Sequence, residues 1–168
     1  MKRLAMAVAI LALGVAGCGG SDSNTPTAPS NLRVFTVQLS AQNEVPPITN
    51  AESSARGTAV VTFHTDTNTV DFNVSLNSFP ASSVVNIAHI HGVPGANNGA
   101  AGNTAGVLVN TSLTPGTVNL VNGAGTFSFP SVTVSAANMQ AILAAPQNFY
   151  FNVHSTLNAS GVVRGQLQ

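Results

Sequence analysis

The sequence predicts an all-β fold: an antiparallel, Greek-key-like sandwich or barrel of about eight strands with one short helix near residues 135–145. Short runs of alternating apolar and polar residues recur along the chain. Glycine, proline and asparagine break these runs at short intervals, as turns between antiparallel strands require. A single stretch switches to helical spacing.

Taken in order, the first segment stands outside the fold. "MKRLAMAVAILALGVAGCGG" has a basic start at Lys2 and Arg3, an apolar run from Leu4 to Val15, and small residues before Cys18. That arrangement predicts a signal peptide over 1–17. Val15-Ala16-Gly17-Cys18 resembles the bacterial lipobox, in which the cysteine becomes the lipidated first residue. Acyl chains on Cys18 would make the bilayer a partner, each buried methylene adding about 0.8 kcal/mol of membrane affinity. Gly19 rather than Asp after the cysteine points to the outer membrane of a Gram-negative envelope, or to the outward face where there is one membrane. Residues 18–31, "CGGSDSNTPTAPSN", carry almost nothing to bury and read as the lipidated cysteine plus a flexible tether.

Residues 32–168 then have the length of one domain. Strand candidates are 33–40, 57–64, 69–77, 84–91, 105–111, 117–121, 125–134, 148–154 and 161–167. In "TVDFNVSLN" (69–77), Val70, Phe72, Val74 and Leu76 share one face while Asp71, Asn73, Ser75 and Asn77 share the other. "GTAVVTFH" (57–64) repeats the pattern with Ala59, Val61 and Phe63, and the intervening Thr65-Asp66-Thr67-Asn68 closes a hairpin. The exception is "SAANMQAILAAP" (135–146). It has a Ser135 cap, Met139, Ile142 and Leu143 at helical spacing, and Pro146 as a stop.

Charge excludes one class of partner. Without residues 1–17 the chain keeps three arginines against five acidic residues, and no lysine, so no nucleic acid is expected. Cys18 is the only cysteine, so the domain has no internal disulfide. Nucleophile elbows, phosphate loops and paired carboxylates are all missing, so no complete catalytic set emerges.

Histidine carries the remaining signal. The chain has four, and His89 and His91 sit two apart before a glycine-rich loop. On a strand they share a face, together with Val85 and Ile87. In "NFYFNVHS" (148–155), Tyr150, Asn152 and His154 form one face and Phe149, Phe151 and Val153 the other. If these strands are neighbours, three imidazoles converge at one rim, a donor set suited to zinc or copper. Alternatively, the imidazoles cap strand ends and bond the backbone of the 92–102 loop. His64 ends a strand with no partner in sequence and reads as a surface residue.

Four motifs in fixed order, "LSAQNEVPP" (39–47), "AHIHGVPGANNG" (88–99), "NFYFNVHS" (148–155) and "GVVRGQL" (161–167), together resemble the chordin-type (CHRD) domain family over nearly all of 34–168. The departures are Val162, where that family commonly has an acidic residue, and Ser155, where Thr is common. The resemblance implies an all-β extracellular domain with a binding role. A second resemblance, to the copper half of copper/zinc superoxide dismutases, matches His89, His91 and His154 to copper ligands and Arg164 to an anion-steering arginine. The bridging histidine, zinc-site aspartate and disulfide of those enzymes have no counterpart here. Of the other motif residues, Glu44 is expected to reach Arg164 as an ion pair. Gly161 and Gly165 are expected to allow close passage of another segment.

The leading expectation is therefore a non-enzymatic, lipid-anchored envelope protein whose domain binds an envelope or extracellular protein or polymer. The alternative is a mononuclear copper- or zinc-binding domain, with dismutase-like redox chemistry as its extreme form.

Overall fold

The structure is a computed structural model that describes residues 30–168. The expected signal peptide, Cys18 and the expected tether as far as residue 29 lie outside the described residues. The strands are β1 (Leu32–Ser40), β2 (Arg56–His64), β3 (Thr69–Asn77), β4 (Val85–His91), β5 (Val107–Asn110), β6 (Gly125–Thr133), β7 (Tyr150–Ser155) and β8 (Val163–Gln166). They form one antiparallel eight-stranded sheet, in the order β5-β4-β7-β8-β1-β2-β3-β6, curled into a nearly closed barrel. One helix, α1 (Ala136–Ala144), links β6 to β7.

Alternation decides what fills the barrel. Val37 and Leu39 of β1, Ala59, Val61 and Phe63 of β2, and Val70, Phe72, Val74 and Leu76 of β3 all point inward and are buried. Phe151 and Val153 of β7 meet them from the other side, and Phe151 stacks on Phe72 at 5.5 Å. Ser135 Oγ caps α1 by accepting from the Asn138 amide at 3.2 Å, and Met139 and Ile142 bury into the same core. Leu143 is half-buried beside them.

Three sequence expectations need correction. Residues 117–121 form no strand; only Val121 bridges to Ala124. Turns at Gly116 and at Asn122–Gly123, all with positive φ, leave the run too short to ladder, although Val118 is still buried. Val85 does not share a face with His89. A bulge between Val85 and Ile87 sends Val85 into the core with Ala88 and Ile90. His64, half-buried, is not alone: its Nε2 lies 3.0 Å from Asp71 Oδ2. The Asp71 carboxyl is held below its usual range chiefly by the Ser131 amide, against the upward effect of burial, with His64 adding to the lowering.

For the site, what matters is where β4, β7 and β8 sit. They are successive neighbours, in registers that align His89 with Asn152 and Asn152 with Arg164, and His91 with Tyr150 and Tyr150 with Gln166. Their inward faces are core. Their outward faces carry these polar residues, yet these are buried or nearly so, because the 92–106 loop and the β1–β2 connection cover them.

Candidate metal centre

His89, His91 and His154 come together on that covered face. One ring nitrogen from each lies within 4.8 Å of the others, and the residues are only 6, 7 and 5 % exposed. The adjacency of β4 and β7 is what the sequence left open, and it brings the third imidazole to the other two.

Hydrogen bonding fixes the tautomers. His91 Nδ1 lies 2.9 Å from the Ala105 carbonyl, and His154 Nδ1 lies 2.9 Å from the Ala159 carbonyl. A carbonyl only accepts, so both Nδ1 atoms carry the proton and both Nε2 atoms are bare. His91 Nε2 is buried with no hydrogen-bond partner. His154 Nε2 faces His89 Nδ1 at 3.3 Å. That separation is within hydrogen-bonding distance. It equals the separation of about 3.3 Å expected for two nitrogens each about 2.0–2.1 Å from one tetrahedral ion. The backbone bonding expected of these imidazoles is present, but to the carbonyls of Ala105 and Ala159 rather than to the 92–102 loop. Among the described residues Nε2 of His91 has no partner and Nε2 of His154 faces His89 Nδ1, while Nδ1 of His91 and of His154 anchors backbone. This is how metal-binding imidazoles are oriented by a second layer of hydrogen bonds.

Electrostatics keeps the set in its ligating form. Burial pushes His89 down from 6.5 to about 4, helped by His154 and then His91. Burial likewise lowers His91, against a smaller upward effect of its bond to Ala105, and lowers His154 against that of Ala159. All three are therefore neutral at pH 7, the protonation state a metal requires.

Tyr150 and Arg164 complete the face. The Tyr150 ring stacks on His91 with centroids 4.8 Å apart and planes 5° from parallel, and its hydroxyl accepts from the Ala105 amide at 3.2 Å. The Arg164 guanidinium sits 3.5 Å over the same ring. It donates to the carbonyls of Asn103 at 2.6 Å and Ala100 at 3.0 Å, and to Gln166 Oε1 at 3.1 Å. With its fork occupied by the 92–106 loop, Arg164 does not form the expected ion pair with Glu44, and the charges interact only at longer range. Glu44 instead faces Asn152 and Gly161, and its Oε1 is buried without a partner. Burial pushes its carboxyl up to about 7, more than Arg164 and Asn152 pull it down.

Both glycines do what was expected of them. A Cβ on Gly161 would meet the Asn152 amide and stand 2.9 Å from Glu44 Oε1, and one on Gly165 would meet the Gln38 carbonyl. Sequence reasoning gave Tyr150 no role, although it is the chain's one tyrosine and shares a strand face with His154. The carbonyls of Ala105 and Ala159 carry no sequence signal at all.

The family described as "CHRD domain" matches residues 35–167. No curated protein and no solved structure gives a significant match.

Proposed function

The chain belongs to the CHRD domain family, whose membership supports a binding-type domain, and on that premise we propose that its ligand is a single late transition-metal ion, copper or zinc, held by His89, His91 and His154. The observation that carries the reading is the buried, unpartnered Nε2 of His91, set beside two further imidazole nitrogens. Leaving such an atom unsatisfied costs about 1–3 kcal/mol, which an ion would recover.

A lipid on Cys18 would present the domain outside the cytoplasmic membrane, anchored in the bacterial envelope. A held ion, without catalysis, is enough to account for the neutral, pre-oriented imidazoles.

Equilibrium dialysis of the purified protein against zinc, and separately against copper, tests this. The expected result is about one ion per chain, lost in a His89→Ala/His91→Ala/His154→Ala variant that keeps its β-sheet spectrum. Equal metal content in the two proteins would sink the reading and turn the search to macromolecular partners of the envelope.

A further inference from the structure

Resting on that reading, we propose that the cluster discriminates by ion charge, holding monovalent copper more tightly than divalent copper or zinc.

Two independent observations carry this. The first is the donor count. Among the described residues the grouped ligands are three histidines, with no carboxylate or thiolate in the set. Protein zinc sites take four ligands, or three plus a water, whereas monovalent copper is stable with three nitrogen ligands. At 5–7 % exposure the three residues leave little solvent to supply a fourth ligand. Imidazole does not select by softness, so coordination number and charge decide the preference.

The second is the fixed charge beside the set. Three neutral imidazoles contribute none, and the Arg164–Tyr150–His91 column adds a guanidinium whose partners are two carbonyls, one amide oxygen and a π face. Among the described residues no carboxylate is bonded to that guanidinium. Glu52 is bound to Ser155 Oγ and Asn158 Nδ2. Strand alternation turns the Ser155 side chain away from the face that His154 shares. Glu44 attracts Arg164 at longer range, but burial pushes its carboxyl up to about 7, so it carries its full negative charge only above neutral pH. A second positive charge on the ion is therefore repelled by Arg164 in a poorly screened site. At an effective dielectric of about 20 this weakens divalent binding by roughly tenfold per added charge.

Competition against chromophoric chelators tests it. Copper(I) is measured anaerobically with a reductant, and copper(II) and zinc are measured in air. The wild-type protein is expected to hold copper(I) at least tenfold more tightly than either divalent ion. Arg164→Gln removes the charge and is expected to narrow that gap by about tenfold; Arg164→Lys, which keeps the charge, is expected to preserve it. Divalent ions bound as tightly as copper(I) by the wild type would overturn this inference alone, even if the arginine variants fail to fold. An unchanged gap in a folded Arg164→Gln variant would remove Arg164 from the account. Uptake of no ion at all would overturn the metal-binding reading itself.

Discussion

His89 Nδ1 and His154 Nε2 lie 3.3 Å apart although 65 residues separate them in the chain. The contact exists because β4 and β7 are sheet neighbours in a register that offsets the two histidines by one pair. It links the only HxH element of the sequence to a single histidine far downstream, and it sets the geometry on which the following expectations depend.

Loading the site should stabilise the fold. An ion that binds only the folded state adds about 2.7 kcal/mol at a hundredfold excess over its dissociation constant. Thermal unfolding with and without zinc should show a raised midpoint for the wild type. His91→Ala should show almost none of that rise, since it deletes a ring nitrogen that is buried without a partner among the described residues.

Metal uptake at pH 7 should release almost no protons. His89 is held near 4, and His91 and His154 are lowered as well, so the ligands are already neutral. Calorimetric titration in two buffers of different ionisation enthalpy should give the same heat after correction for metal–buffer binding. A buffer-dependent heat equivalent to one or more protons would contradict the assignment.

Glu44 should make the fold less stable as pH rises. Its folded-state value, about 7, is above the ordinary 4.5. The folded state therefore binds the proton more tightly, and stability is lost as pH climbs from about 4.5 through about 7. His89 has the opposite sign: with its folded value near 4, the unfolded state takes the proton first, and stability is lost as pH falls below about 6.5. Glu44→Gln should thus stabilise the protein at pH 8, by on the order of 2 kcal/mol, and change little at pH 4.5. Denaturant unfolding of both proteins at those two pH values checks the sign.

Two glycine substitutions should behave in opposite ways. Gly165→Ala drives a methyl into the Gln38 carbonyl between β1 and β8, backbone that cannot give, and should cost about 3 kcal/mol. Gly106→Ala meets nothing within 4 Å and should stay within about 0.5 kcal/mol of wild type. Denaturation midpoints separate the two.

Tyr150→Phe should cost about 1 kcal/mol, through the hydroxyl that the Ala105 amide donates to, while leaving metal stoichiometry unchanged. The ring, not the hydroxyl, makes the stack with His91 and Arg164. Stoichiometry lost with the hydroxyl would mean that the phenol itself takes part.

Much of this was legible because period-two alternation speaks directly for a strand. β2 and β3 bury the apolar sets read from their residues, and the Ser135-capped helix sits where its spacing put it. What the sequence hid were departures from that period. The Val85–Ile87 bulge turns one residue inward without any proline or glycine to announce it. The run at 117–121 alternates like a strand but is closed off by two turns. At the site, strand faces showed which histidines could meet, but not that β4 and β7 would pair. Across that pairing Ile90 lies opposite Phe151, which stacks on Phe72, contacts between residues far apart in the chain that no local pattern encodes. Arg164 was misplaced for a similar reason. Its partners are loop carbonyls of Ala100 and Asn103, which any residue could supply.

The most direct test of the metal centre is long-range nitrogen NMR of the histidine rings during a zinc titration. The account predicts that Nε2 of His91 and of His154 begin as bare, unprotonated nitrogens and move together to metal-bound shifts. Their Nδ1 atoms should remain protonated, still bonded to Ala105 and Ala159. Rings unchanged through one equivalent of zinc would leave the cluster as scaffold, and a metal shift on either Nδ1 would contradict the geometry.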